Sequence, residues 1–502
     1  MSNDKKKVII FGAGPAGLAL AYELLKKDAN VIPILVEKNS VVGGISRTVY
    51  EDDLGVDIGG HRLYTKNAYI NKIWTDFLPL QNYPSADDIH CQRDVTYPKD
   101  GANPNKEDRV MLIRKRFSSI IYNSLFFPYP LKLDFDTFSK LGIMTSIMAG
   151  FSYLKSLIFK RKELTLEDFM INRFGKVLYN IFFKDYTKKV WGKDPSLMPS
   201  DWGKERIRKL SLFKTVMNAI LSNFEFFKKL SKETSLIDEF YYPKLGCSQL
   251  WNLMADYIVA HGGQILLNHE VIDFEVNENK MINAKVKYIN GKIIEIQGDY
   301  FASSMPICDL IKGLDAPYNI KQYALNLPYR DYLLVSFYTK SFNLKNQTNY
   351  RTVNNITPEC WIYLQEPDAV ASRIQIMNNW SPYLVGDFKR NYLISLEYYV
   401  NEDEFLWNLD DGKIIELALN ECKKYNLFYK KDVLKAKVIR EKKAYPAYWG
   451  SYHKLNEIKK YIATINNLYL IGRNGQHKYN NMDEAMLSGI DVAREIIKKL
   501  GK

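Results

Sequence analysis

Residues 8–48 read VIIFGAGPAGLALAYELLKKDANVIPILVEKNSVVGGISRT, and no other stretch so narrows the folds open to this chain. Four apolar residues, Val8 to Phe11, lead into Gly12, Gly14 and Gly17. A helical stretch, a second apolar strand and Glu37 follow. Strand, G-x-G-x-x-G turn, helix, strand and acid, in that order, make the βαβ unit that binds dinucleotides. Gly12 permits the tight turn, Gly14 lets backbone approach a pyrophosphate, and Gly17 lets the helix sit close on the sheet. Pro15 and Ala16 belong to the same turn, where free N–H groups at the helix start favour an anion. Glu37, about twenty residues past the last glycine, carries a carboxylate for the adenosine ribose hydroxyls and repels a 2′-phosphate. Lys38 stands beside it.

The rest of the composition sets limits. A chain of 502 residues supports two or three domains and a large core. Its 46% hydrophobic and 25% charged content is that of a globular protein, not a disordered or fibrous one. The net charge of +13 suits an anionic partner, but the lysines are scattered. No basic tract or nucleic-acid motif accompanies them, so a solvated surface is expected and no nucleic-acid partner. The aromatic residues, 35 Tyr among them, are dense in the middle of the chain, where they supply stacking walls. Five dispersed cysteines (Cys91, Cys247, Cys308, Cys360, Cys422) fit neither a disulfide framework nor a metal site. The N-terminal MSNDKKK runs straight into the first strand, leaving no room for a signal peptide, so a cytoplasmic setting is expected. The longest apolar run, Leu141 to Leu154 between Lys140 and Lys155, falls short of the roughly 20 residues of a spanning helix. It is read as a core helix rather than a membrane-surface patch.

The fold class expected is α/β: a discontinuous Rossmann-like domain, a helical insert and a mixed β-sheet substrate domain. The chain returns to the first domain at HGGQILLNHEVIDFE (261–275), at a hairpin across Asn290-Gly291, and at a strand ending near Met305. The last return is NLYLIGRNG (467–475), followed by a helix from about Met482 to Lys499. Residues 1–65, 241–315 and 465–502 are thus assigned to the dinucleotide domain. Residues 66–240 read as mainly helical, on the period of Thr165 to Tyr179 and of Leu210 to Leu230. Residues 316–464 mix strands and loops, with YLLVSFYT and NYLISLEYYV the clearest strands.

After Glu37 comes a second glycine pair with an arginine: Gly43, Gly44, Ile45, Ser46, Arg47. It resembles the extension of the glutathione-reductase-like FAD proteins, in their amine-oxidase-like branch, where it lines the flavin side of the dinucleotide. VDIGGHRLYT then places Gly59 and Gly60 before His61, letting backbone approach a flat ring. No second dinucleotide fingerprint follows, which favours one bound FAD over a reductase with its own nicotinamide domain. Three further segments, FFKDYTKKVWGKDPSLMPSDWGKERI (182–207), WIYLQEPDAVASRIQIMNNWSP (361–382) and IGRNGQHKYNNMDEAM (471–486), together resemble the UDP-galactopyranose mutase family.

That resemblance implies an isomerase in which reduced FAD acts as nucleophile at the anomeric carbon of a nucleotide sugar, with no net redox change. It implies polysaccharide or cell-envelope synthesis, with NAD(P)H as an external reductant and a homo-oligomer as an open alternative. It assigns Phe182 and Tyr186 to the nucleobase, with helix-core packing as the alternative. Trp191 goes to the sugar, and Arg206 to a flap over the diphosphate. Arg373, Arg473, Tyr445 and Tyr479 go to the phosphates, and His61 to the flavin edge, so that His61, Arg373 and Arg473 carry the catalytic roles. Val271, Met305, Gly472 and Met482 complete the FAD contacts. The segment Tyr241 to Gly246, YYPKLG, also resembles the wider amine-oxidase-like group, so an FAD-dependent oxidase or desaturase is the second reading.

Overall fold

The structure is a computed structural model that describes residues 5–129, 131, 135–207 and 239–501, with side chains except at 135, 136 and 205–207. The expected helix over Leu210 to Leu230 therefore lies outside the described residues. The chain folds as two compact units. One comprises 1–113, 241–330 and 441–502, the other 114–240 and 331–440.

In the first unit, β1 (Lys6–Phe11), α1 (Pro15–Lys26) and β2 (Val31–Val36) form the βαβ unit expected from the glycine turn. Strands Leu468–Leu470, Tyr300–Ser303, β1, β2 and Gln264–Leu266 lie in that order in one sheet, all parallel. Val8, Ile9 and Ile10 are fully buried, because helices cover one face of the parallel sheet and apolar packing covers the other. The Met482–Lys499 helix packs on α1 so closely that a Cβ on Gly489 would stand 2.1 Å from the Ala16 carbonyl oxygen. The expected hairpin forms: Lys280–Tyr288 pairs antiparallel with Ile293–Gln297 across Asn290-Gly291. Residues 66–113, read from sequence with the helical insert, fold here instead. The helix Ala68–Phe77 buries Ile70, Ile73, Trp74 and Phe77 in this unit's core.

The second unit holds a seven-stranded sheet. Its order is Val433–Pro446, Tyr329–Thr339, Tyr392–Val400, Arg373–Ile376, Trp361–Leu364, Ser118–Tyr122, Leu125–Pro128. The reading of 66–240 as mainly helical did not foresee the last two strands, which are set among the helices of that span. SSIIY and LFFP are short apolar runs whose pattern cannot separate strand from helix, and pairing with Trp361–Leu364 decides the matter. Beside the sheet, α2 (Ile143–Ile158) packs on α3 (Leu166–Tyr179), which opens with a capping box between Thr165 and Asp168.

The core-helix expectation for Leu141 to Leu154 fails: only Ala149 and Ser156 of α2 are buried. A run of apolar residues fixes that a helix has an apolar face, not that a neighbour covers it. All five cysteines are buried. No helix among the described residues is long and apolar enough to cross a membrane.

Candidate functional site

The first unit supplies a dinucleotide cradle. Gly17 is required by contact, since a Cβ there would fall 2.1 Å from the Gly12 carbonyl oxygen. At Gly14 the situation differs: a Cβ would meet only Gly44 backbone, at 3.8 Å or more. The two glycine loops thus face each other backbone to backbone, tied by the Gly43 N–H to the Ala13 carbonyl at 2.9 Å. Gly14 caps α1 with no side-chain hydrogen bond, and Pro15 takes the first turn, so the helix start offers its amides to an anion. Ala16 touches the third loop, where Gly472 adopts φ +69° and a Cβ would stand 3.0 Å from the Ala16 Cβ.

Glu37 is buried at the end of β2. One oxygen accepts from the Ala13 amide at 2.9 Å, the other from the amide and side chain of Asn39 at 3.0 and 2.8 Å. The oxygen that accepts only from Ala13 keeps a second lone pair for a ribose hydroxyl. Lys38 is exposed beside it. Arg47 donates to the Gly44 carbonyl at 2.7 Å and pairs with Glu441, while Trp251 donates to the Ser46 carbonyl at 3.0 Å. Ile45 and Gly60 are half-buried. Val271, Met305 and Met482 are half-buried at the edges of this unit's cores. A backbone-lined groove at a helix start, with an acid at the next strand end, fits FAD.

His61 stands 3.9 Å from Asp57, Nδ1 to Oδ2. Asp57 is fully buried, accepting from the Thr48 hydroxyl at 2.6 Å and the Tyr242 hydroxyl at 2.8 Å. Burial outweighs those bonds and pushes its carboxyl up to about 6. Cys247 donates to the His61 carbonyl, Sγ to O 3.2 Å. Arg473, in the turn Gly472–Gly475, lies over two rings, 5.1 Å from the centre of Tyr445 and 4.7 Å from that of Tyr479. The rings stack at 5.4 Å and 27°. The guanidinium donates through Nε and Nη2 to the Asn480 carbonyl at 2.9 and 2.7 Å, and through Nη1 to that of Ala444 at 3.3 Å. Its position is therefore set by backbone, and it in turn fixes the two tyrosines.

The second unit gathers another set. Tyr363, Arg373 and Glu397 are direct cross-strand neighbours on three adjacent strands. Arg373 donates through Nε to Glu397 Oε2 at 2.7 Å, with Nη2 2.5 Å from the same oxygen and 3.4 Å from the Tyr399 hydroxyl. Burial opposes the guanidinium charge, but Glu397 together with Tyr399, Tyr363 and Tyr186 outweighs it and holds Arg373 protonated well beyond its ordinary range. Tyr186 meets Tyr363 edge to face at 5.7 Å, and Tyr129 meets it at 4.5 Å. Arg116 lies 5.7 Å from the Tyr129 ring centre and 5.9 Å from that of Trp361.

Tyr186 thus joins Arg373 in one cluster. Phe182, by contrast, is 1% exposed, packed on Phe127 at 5.2 Å and Tyr122 at 5.8 Å. That is the helix-core alternative. It sits in a π-turn, Asn180–Lys184, which leads into the helix carrying Tyr186. Trp191 is buried edge to face with Trp202 at 5.5 Å. The side chain of Arg206 lies outside the described residues.

Sequence reading missed Asp57, Glu397, Glu441, Tyr363 and Arg116. Two of these carried a signal: Asp57 in LGVDIGG and Glu397 in LISLEYYV are acids inside apolar strands, where a charge needs a partner. Glu441, in a basic strand segment, carried none.

Comparison with known proteins places these observations. The model of the family described as flavin containing amine oxidoreductase matches residues 15–497. Over 76 residues, 15% of this chain, the sequence is 38% identical to the FAD-binding monooxygenase moxY of Dothistroma septosporum. That match spans only 12% of the relative's length. Among solved structures, reduced UDP-galactopyranose mutase superposes with a TM-score of 0.75 at 18% identity, over 99% of this chain and 95% of that one. Putrescine oxidase bound to putrescine gives 0.58 at 13% identity over 98% and 99%. An oxidoreductase from Methanosarcina mazei gives 0.56 at 14% over 97% and 100%. At these identities the likeness is one of fold. The family model, matching nearly the whole chain, goes further: this protein belongs to the flavin-containing amine oxidoreductase family of FAD proteins.

Proposed function

We propose that this protein is a flavin-dependent nucleotide-sugar mutase that interconverts pyranose and furanose forms, with UDP-galactose as the first substrate to try. The observation that carries the reading is the half-buried Arg373 among Glu397, Tyr186 and Tyr363, a cation held ready beside aromatic faces. A planar guanidinium grips a diphosphate bidentately, and tyrosine rings accept a base. When bound in reduced form, FAD supplies the nucleophile for the anomeric carbon, with no net redox change.

The protein's own residues would do the rest. Gly12 to Gly17 and Gly44 to Arg47 hold the cofactor pyrophosphate and ribityl chain, and Glu37 the adenosine ribose. His61 hydrogen-bonds at the flavin edge, with the Asp57 carboxyl 3.9 Å behind its Nδ1. Arg373 and Arg206 bind the diphosphate of the leaving nucleotide. Within the first unit Arg473 orients Tyr445 and Tyr479, whose hydroxyls are the proposed donors to a substrate phosphate. NAD(P)H is the proposed reductant and the cytoplasm the proposed setting, with the product feeding glycan synthesis.

The second reading, an FAD-dependent oxidase of amines or of a hydrophobic substrate, is favoured by the family match itself. One experiment separates the two. Dithionite-reduced protein is incubated with UDP-galactose, UDP-N-acetylgalactosamine and dTDP-sugars, and products are resolved by chromatography. An isomer of equal mass formed only by reduced enzyme supports the mutase. No isomer, no UDP binding and substrate-driven flavin reduction by amines support the oxidase.

A further inference from the structure

In α2 the usual arrangement of a surface helix is inverted. Its small and polar residues face the protein: Ala149 and Ser156 are 3% and 5% exposed, and the Ser152 hydroxyl accepts from the Val177 amide at 3.2 Å. The seam is tight, since a Cβ on Gly175 of α3 would fall 2.8 Å from the Tyr153 nitrogen. The helix therefore cannot turn its large side chains inward. Those side chains point outward: Ile143 is 82% exposed, Phe151 70% and Ile158 73%, with Met144, Ile147, Met148 and Leu154 also exposed. At 100° per residue these positions share one stripe about 140° wide, and Phe159 and Leu164 extend it past the helix end. Soluble monomers rarely expose so large an apolar patch.

The charges around the stripe indicate what covers it. From Thr137 to Lys162 the sequence carries Lys140, Lys155, Lys160, Arg161 and Lys162 and not one acid. Lys155 is exposed within the apolar face itself, and Lys160 and Lys162 are exposed at its end. Arg161 reaches back to Asp168 at 3.3 Å. An apolar helical face with a basic rim is the pattern of a helix lying in a lipid interface. A second copy of the chain is disfavoured, because a two-fold contact through this face would bury Lys155 of each copy in an apolar seam whose helix, from Thr137 to Lys162, carries no acid to pair it.

We infer that α2 is an interfacial anchor that seats the protein on an anionic membrane surface, its apolar stripe among acyl chains and its lysines at the headgroups. Anchoring of this kind is independent of the reaction the flavin unit performs. The test is co-sedimentation of full-length, FAD-loaded protein with vesicles of phosphatidylcholine alone and of phosphatidylcholine mixed with phosphatidylglycerol. The native protein is expected to bind the mixed vesicles, and to bind more weakly as salt rises or phosphatidylglycerol is withheld. Phe151→Asp and Ile147→Asp are each expected to lower the bound fraction roughly tenfold or more, with FAD content unchanged. Lys155→Glu with Lys160→Glu is expected to abolish the preference for phosphatidylglycerol. As a conservative probe, Phe151→Trp is expected to gain an emission quenched by brominated lipid. Failure of the native protein to bind either vesicle overturns the inference. So does binding that the substitutions leave unchanged, and so does a solution dimer that Phe151→Asp dissociates.

Discussion

Removing Arg373 should have two separable consequences, because the residue serves both a buried pair and the proposed phosphate site. Glu397 is fully buried, and its Oε2 accepts both the Nε and Nη2 donors of Arg373. Arg373→Met deletes the cation and leaves the carboxylate uncompensated. Breaking such a pair costs about 3–5 kcal/mol of stability, most of it from the orphaned charge. Glu397→Gln in the Arg373→Met background removes that charge, so the double variant should recover most of the loss, a coupling of at least about 2 kcal/mol. UDP affinity should behave differently. A charge-assisted phosphate contact contributes on the order of 2 kcal/mol, so the double variant should bind UDP about 30-fold more weakly while staying folded. Urea unfolding followed by tryptophan fluorescence reads the first quantity, and titration calorimetry with UDP on FAD-loaded protein reads the second. If Arg373→Met matches the native protein in stability, the buried-pair argument is wrong. If the stable double variant binds UDP normally, Arg373 does not grip the diphosphate and the mutase proposal loses its main support.

Further outcomes follow from the same geometry. Gly17→Val should yield protein lacking FAD, read from the flavin absorbance of purified protein, because its Cβ would overlap the Gly12 carbonyl. Asp57 ionises in the fold at about 6 instead of near 4, so its contribution is fully present below about pH 4 and is lost as pH rises through 6. Asp57→Asn should therefore flatten the fall in stability over that window, by about 3 kcal/mol between its ends. His477 runs the other way: burial pushes its imidazole down to about 4, so its contribution holds above pH 6.5 and is lost on acidification towards 4. His477→Gln should flatten that acid limb in thermal melts. Tyr479→Phe keeps the ring stacked on Tyr445 and Arg473 but deletes the hydroxyl, so FAD content should hold while the KM for nucleotide sugar rises several-fold.

Much of the first unit was legible because its signals are local. Gly12, Gly17 and Glu37 lie within one βαβ unit, and the Asn290-Gly291 hairpin announces itself in two residues. The second unit was harder, because its sheet is assembled from strands far apart in the chain. Ser118–Tyr122 pairs with Trp361–Leu364, and nothing near residue 118 points to residue 361. The same holds at the site. Arg373 was legible as a candidate, but its partner Glu397 and its neighbour Tyr363 are set by strand register, which depends on the whole sheet. Phe182 and Tyr186, equivalent on paper, separate only when one packs on Phe127 and the other on Tyr363.

Residue order alone determined the dinucleotide unit, since a glycine turn, a strand end and an acid act over one short loop where backbone sterics leave few choices. It also marked the apolar run Leu141 to Leu154 as a helix. Tertiary structure decided what that helix meets. The choice was made by Gly175, whose missing side chain admits the small face of α2 and leaves the large one outside. Which acid neutralises Arg373 was settled in the same way, by a register that no single strand contains. Contacts between distant segments obey packing and charge balance in three dimensions, and the linear pattern records only one partner of each pair.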